Sequence, residues 1–226
     1  MTSLQHEHIE DFAAHEWCNK LISDPTITHI SKRHIPDKRK GISNTFFTRT
    51  LFTDNAIRAF LTLYRPGQGR ARNVDETIIF TGSAPIYDVP QAGLYEAELK
   101  RQQAKEDIVH DPASSETAEA IILVSIGSDT DGGIRRLHGG VTASLLDQAM
   151  GTLLSYYYEN TSATSELNIK YKKAVNTPCV LKIRAKLLRE KGRWIETMGT
   201  VEDGNGTVFA EGRGAFVLGK VGAANI

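Results

Sequence analysis

The stretch Leu137-His-Gly-Gly-Val-Thr-Ala-Ser-Leu-Leu-Asp147, continuing Gln148-Ala-Met-Gly-Thr-Leu-Leu154, decides how the rest of the chain is read. Wound at 3.6 residues per turn, Val141, Leu145, Leu146, Ala149, Met150, Leu153 and Leu154 spread apolar surface around most of a helix. The pattern predicts a buried helix from near Gly140 to about Tyr158. One stripe differs: Gly140, Ser144, Asp147 and Gly151 recur at steps of four, three and four and so share a face. Three of them are small, which lets another backbone or a ligand come close. The fourth is a carboxylate, a group rarely buried without a partner. Two readings stand: a structural Asp147 bonded to a hydroxyl or a lysine, or a general base or nucleophile in a partly dry site.

The turn before the helix bears on that choice. His138-Gly139-Gly140 opens the helix without side chains on its glycines, so their N–H groups are expected to face a ligand. A helix start carries unpaired N–H donors and the positive end of the dipole, which suit a developing oxyanion. Gly140 and Asp147 lie seven residues apart, about 10 Å along the axis. An attacking group and an oxyanion donor must both reach one carbonyl, within roughly 3–4 Å. One helix cannot do both. Two antiparallel copies can, so this chemistry calls for a homodimer with composite sites.

Outward from the helix, the chain reads as strands. Glu119–Ser125 precedes it, and Ser165–Lys172, Val180–Leu188, Trp194–Glu202 and Val208–Leu218 follow. Asp203-Gly-Asn-Gly206 joins the last two as a hairpin, since these residues tolerate positive φ. Upstream, Thr45–Thr53 and Ala56–Tyr64 are expected to be strands, with a turn or bulge at Asp54-Asn55. Ile9, Phe12, Ala13, Trp17 and Leu21 predict one helix over residues 8–22, packed on the main domain, and residues 23–44 read as an irregular connector. Within 67–118 a short apolar run, Thr77–Thr81, is followed by a charged helix candidate, Leu94–Asp107, that reads as a solvated surface element or a lid. The expected fold class is α+β, an antiparallel sheet around a central buried helix, with an N-terminal helical extension. The expected domain runs over residues 45–220 with an insertion at about 67–118, between an N-terminal helix and connector (1–44) and a tail (221–226).

Composition removes several functions. Lys+Arg and Asp+Glu both total 27, so no global field draws nucleic acid or an anionic membrane. Cys18 and Cys179 are too few for a disulfide framework and lack metal-ligand spacing, and they read as buried thiols of a reducing compartment. No apolar run reaches the roughly 18 residues of a membrane span. The start MTSLQHEHIEDF has neither a signal core nor a transit peptide's arginines, so cytoplasmic residence is expected.

The segment Leu137–Asp147 resembles the signature of the hotdog-fold acyl-CoA thioesterases of the phenylacetate-pathway type, which include members with N-terminal extensions. Thr164-Ser-Glu-Leu-Asn-Ile-Lys-Tyr171 is similar to that family's next strand, and Phe209-Ala-Glu-Gly-Arg-Gly-Ala-Phe-Val217 to its closing one. The resemblance covers roughly residues 118–220. It implies a hotdog fold, a homodimer or dimer of dimers, and no cofactor beyond the CoA of the substrate. It implies that Gly139, with Gly140, holds the thioester oxygen and that Asp147 of the other subunit acts as base or nucleophile. Thr164 would orient water, and His138 would shape the turn or contact the thioester. Ser144 and Ser165 are candidate substrate contacts.

Where many relatives carry Asn or Gln, seven residues before the first paired glycine, this chain has Gly132, with Asp131 and Arg136 as the nearest polar replacements. Gln148 stands where similar proteins often have Glu. Lys182, Arg184 and Lys186 form a basic strand face, and Lys170, Lys172 and Lys173 add charge nearby. All are candidate contacts for CoA phosphates. Two other functions fit the same fold: a non-catalytic acyl-CoA binder or scaffold, and a dehydratase or hydratase acting on a carrier-bound acyl chain.

Overall fold

The structure, a computed structural model, describes residues 6–33, 44–67, 100, 102–103, 107–158 and 160–220. Two short helices, α1 (Glu10–Ala13) and α2 (Glu16–Ile22), lead into β1 (His29–Lys32) and, after a helical turn, β2 (Ile57–Arg65). Then come β3 (Asp107–Val109), β4 (Glu119–Ile126), a small hairpin β5 (Asp131–Gly133) and β6 (Arg136–Leu137), and the long helix α3 (Gly139–Tyr158). Strands β7 (Ser162–Tyr171), β8 (Cys179–Lys191), β9 (Trp194–Glu202) and β10 (Val208–Leu218) complete the chain. The main sheet runs β1-β2-β4-β8-β9-β10-β7, with β3 also on β8, and its pairs are antiparallel. It curves around α3. This is the hotdog arrangement expected from the sequence.

Strand β4 shows why the sheet has two cores. Alternate side chains of a strand face opposite ways. Ala120, Ile122, Val124 and Ile126 meet the inner core around α3, whereas Ile121 and Leu123 join Ala59, Leu61 and Leu63 of β2 in an outer core. The N-terminal segment covers that outer core with Phe12, Cys18 and Ile27. Each such apolar side chain contributes about 1.5–3 kcal/mol when fully buried. On the inner side, glycines bring α3 close to the sheet. A Cβ at Gly199 would lie 3.1 Å from both Leu146 and Met150, and one at Gly214 2.7 Å from Met150 Sδ.

Carboxylates tie the N-terminal segment down. Glu7 pairs with Arg33 at 3.0 Å, and the guanidinium, 2% exposed, also donates to Phe47 O and Ile57 O at 2.6 and 2.8 Å. Asp11 pairs with Arg58 at 2.9 Å, and Asp24 with Arg65 at 2.7 Å. Of these only Glu7–Arg33 is buried, and removing one of its partners would strand the other at a cost of about 3–5 kcal/mol.

Several expectations are corrected. The single helix over 8–22 is broken at Ala14-His15, where His15 is extended (φ −113°, ψ 115°). The break seats Cys18 in the outer core while Trp17 lies against Gly204. Residues 23–44 contain β1, a strand too short and polar to show an alternation, paired with β2 from His29↔Tyr64 to Lys32↔Leu61. Thr45–Thr53 is not a strand. Phe46–Thr50 forms a π-helical turn, closed by Leu51 N–H to Phe46 O at 2.8 Å. Its Phe and Thr content suits a strand, but Arg33 takes the Phe47 carbonyl and Thr48 bonds back to Asn44 O at 2.7 Å. The run Thr77–Thr81 and most of Leu94–Asp107 lie outside the described residues. Among the described residues, no helix is long and apolar enough to cross a membrane.

Candidate active site

Helix α3 buries one face only. Thr142, Leu145, Leu146, Ala149, Met150, Leu153 and Leu154 are sunk in the curved sheet. Ser144, Asp147 and Gly151 are half-buried on the side the sheet leaves open. The expectation of a helix buried around most of its circumference is therefore too broad for a single chain: the stripe of small residues faces outward.

Asp147 has a definite partner. Thr164 of β7 donates its hydroxyl to Asp147 Oδ1 at 2.7 Å. Simple alternation would not produce this contact. Leu167 and Ile169 pack on the inner core, so inward positions of β7 are odd-numbered and Thr164 would face away. The register slips between Ala215 and Phe216: Glu166 pairs with Ala215 and Thr164 with Phe216, which leaves Ser165 as an extra residue. A bulge flips the parity of everything before it, and so turns Thr164 inward onto the carboxylate. Ser165 itself, exposed at the bulge, is a positioning element.

At the start of α3, the expected pair of free glycine N–H groups is corrected to one. Gly140 N–H donates to His138 Nδ1 at 2.8 Å, which caps the helix from within the turn and, in the neutral ring, puts the proton on Nε2. Val141 and Thr142 N–H both go to His138 O. Gly139 N–H keeps no partner among the described residues and is the turn's open donor. Tyr171, at the end of β7, holds the other side of this residue, donating its hydroxyl to Gly139 O at 2.9 Å. Sequence reasoning missed Tyr171; its position at the end of the strand that carries Thr164 was the available signal. Ser144 is turned back onto its own helix, donating to Gly140 O at 2.9 Å.

Beside Gly139 opens a cleft of about 380 Å³, lined by Leu137, Thr142, Tyr171, Lys172, Lys173 and Phe209 among others. Two of the predicted basic residues, Lys172 and Lys173, thus share a cleft with the open donor. Lys172 also pairs with Glu211. Lys170 is exposed on β7. The basic face of β8 is corrected: Lys182 pairs with Glu202 at 2.7 Å, Arg184 with the fully buried Glu119, and Lys186 donates to Ser114 O at 2.8 Å. Those charges are spent within the chain and are poor phosphate contacts.

Gly132 has a physical reason. A Cβ there would lie 2.9 Å from both Cα and Cδ2 of His138, so any side chain would force the histidine and its backbone to shift. Asp131 does not stand in for one. It accepts from Arg135 N–H at 3.0 Å and from the Thr177 hydroxyl, holding the β5–β6 hairpin. Gln148 accepts from Asn44 Nδ2 at 3.0 Å and sits apart from Asp147's contact with Thr164. Burial pushes the thiols of Cys18 and Cys179 up to about 12, so neither is a nucleophile near neutrality.

Residues 135–210, from the β5–β6 hairpin into β10, match the family model described as thioesterase superfamily. No curated protein matches the chain. Among solved structures, a Bacillus halodurans protein crystallised with CoA is 31% identical over 43% of this chain and 66% of its own, with a TM-score of 0.41. A thioesterase superfamily protein is 25% identical over 48% of this chain and 63% of its own, with a TM-score of 0.42. Zebrafish thioesterase superfamily member 2 is 21% identical over 56% of this chain and 94% of its own, with a TM-score of 0.43. The chain thus spans a little under two thirds of the length of the first two.

Proposed function

We propose that the protein hydrolyses an acyl thioester, of the acyl-CoA class, to a free acid and a thiol, a reading supported by the match of residues 135–210 to the thioesterase superfamily model. The observation that carries this reading is the Thr164–Asp147 hydrogen bond on the open face of α3, on the same helix that begins with the unpartnered Gly139 N–H.

The division of labour follows from geometry. Gly139 and Asp147 are eight residues apart, about 12 Å along α3. Each helix therefore supplies half a site. In a homodimer with antiparallel central helices, Gly139 N–H of one copy holds the thioester oxygen while Asp147 of the second copy faces the carbonyl carbon. Thr164 occupies Oδ1, so Oδ2 is left to take the proton from an attacking water, or to attack directly. As the carbonyl becomes tetrahedral its oxygen gains charge, which the preset donor and the helix dipole stabilise. Collapse expels the thiolate; on the direct-attack route this leaves an anhydride on Asp147, which water then cleaves to release the acid and restore the carboxylate. Lys173, in the cleft lining, and Lys170, exposed on β7, are the candidate phosphate contacts, while Lys172 shares the cleft but pairs with Glu211.

A panel of acyl-CoA esters followed with a thiol-detecting dye tests the proposal. Turnover should fall by about 100-fold or more in Asp147→Ala, the scale of losing a general base. Full activity in that variant removes the reading. A second reading, a non-catalytic acyl-CoA binder, is favoured by Gly132, where no polar side chain stands. It predicts CoA binding without thiol release in the unaltered protein.

A further inference from the structure

A second cluster of chemistry-bearing side chains lies on the N-terminal segment, apart from α3. His6, His8 and Glu10 each offer a ligand atom, and these atoms lie within 4.8 Å of one another. His8 Nδ1 is 2.9 Å from Glu10 Oε1, and His6 Nε2 is 3.7 Å from Glu10 Oε2. Ligand atoms around a tetrahedral zinc with bonds of about 2.0 Å stand about 3.3 Å apart, so a closure of about 1.5 Å at most, within reach of the exposed His6 and Glu10 side chains, brings all three onto one ion.

The fourth partner gives the arrangement its sense. His8 Nε2 lies 2.9 Å from Asp54 Oδ1, on the turn before β2. A histidine ligand ordinarily donates its second ring N–H to a carboxylate, which fixes the tautomer and aims the free nitrogen at the ion. Here Asp54 takes Nε2, and Nδ1 faces Glu10, with the His6 ring centroid 4.9 Å from that of His8. The backbone is held too, since His8 N–H donates to Arg58 O at 3.2 Å. His8 is the anchored member, 20% exposed, against 69% for His6 and 62% for Glu10.

We propose that His6 Nε2, His8 Nδ1 and a Glu10 carboxylate oxygen form a site for a divalent transition-metal ion of the imidazole-favouring class, with Asp54 orienting His8. Imidazole nitrogens with a carboxylate suit Zn2+ better than Mg2+ or Ca2+, which prefer oxygen alone. The ion takes the place of the proton shared between His8 and Glu10, and water completes its coordination. Three ligands within five residues hold the ion, and Asp54 ties that stretch to the turn before β2. The ion is thereby placed to staple the N-terminal segment to the sheet, with no part in chemistry at Asp147.

Titration of chelator-treated, tag-free protein with ZnCl2, read by calorimetry and by metal content after dialysis, tests this. One Zn2+ per chain is expected, with a weakening of at least 100-fold in His8→Ala and in His6→Ala. The latter is on an exposed side chain whose removal leaves the packing intact. Asp54→Asn should weaken binding by about 10- to 100-fold, the range for a group that orients a ligand. His15→Ala should leave it unchanged. The absence of saturable uptake, or equal uptake by the His6→Ala and His8→Ala chains, overturns the site.

Discussion

Asp147 is legible in the sequence as a carboxylate among small residues, and its meaning is not. Alternation along β7 assigns Thr164 to the outer face, and only the slip at Ser165 brings it to the acid. A one-residue bulge leaves no compositional mark, so the partner of the key acid was reachable through family resemblance and not through periodicity. The same holds at the helix start. The glycine pair is visible, but the return of Gly140 N–H to His138 Nδ1 depends on ring placement that no pattern encodes. Two variants test these assignments. Thr164→Val keeps the shape and removes the hydroxyl, and is expected to lower kcat by about 10-fold, well short of the loss in Asp147→Ala. Gly139→Pro removes the single N–H at a first helical position that tolerates proline, and is expected to cost about 100-fold in kcat. Gly139→Ala retains the N–H, and its Cβ would meet Tyr171 at an ordinary 3.4 Å, so near-normal turnover there separates the donor from the residue's size. Equal losses in the proline and alanine variants contradict the donor role.

Among elements, the four strands after α3 and the hairpin at 203–206 stand close to where the sequence puts them, because period-two patterns and glycine turns are local signals. The N-terminal segment was less legible. Its helix break, β1 and the turn at Phe46–Thr50 are imposed by distant partners: Trp17 on Gly204, β2 beside β1, Arg33 on Phe47. Gly204 has φ +76°, and a Cβ would lie 2.2 Å from the Trp17 ring. Gly204→Ala should therefore displace the indole and cost about 1–3 kcal/mol, seen as a lower Tm and a red-shifted Trp17 emission. An unchanged spectrum contradicts the contact. Acid should release this segment in a defined way. Burial raises the pKa of Asp11 and Asp24, but hydrogen bonds from Arg58 and Ser125, and from Thr26 and Arg65, outweigh it, and both carboxyls end below 3.8. Their contribution is thus whole above pH 3.8 and is lost as the pH falls through the depressed values. Glu7 acts in the opposite sense: burial raises it from 4.5, so its ionisation opposes folding as pH rises through that value. An Asp11→Asn/Asp24→Asn chain should be less stable than the parent at pH 7 by about 1 kcal/mol per pair, read as a lower Tm. The two Tm values should converge below pH 3.8, and a gap that persists there refutes the assignment.

For the whole molecule, the proposed reaction is what demands a partner. The sheet ends at β7, an exposed ten-residue strand beside the open face of α3. A dimer should therefore elute as twice 24.9 kDa in light scattering. Complementation tests the composite site more sharply. Asp147→Ala and Gly139→Pro chains, each inactive, should regain up to about a quarter of the parental turnover once mixed, denatured and refolded together. Random pairing places half the chains in mixed dimers, each with one intact site. No recovery, with mixed dimers verified by mass, is incompatible with sites shared between copies.

Phe12, Cys18 and Ile27 lie over β2 and β4 on the side opposite α3. That part of the convex surface is already roofed by the chain's own first residues. Any association of two copies across that side is thereby confined to what is left bare along β8, β9 and β10, and trimming the roof would lay open a greasy wall suited to unplanned association.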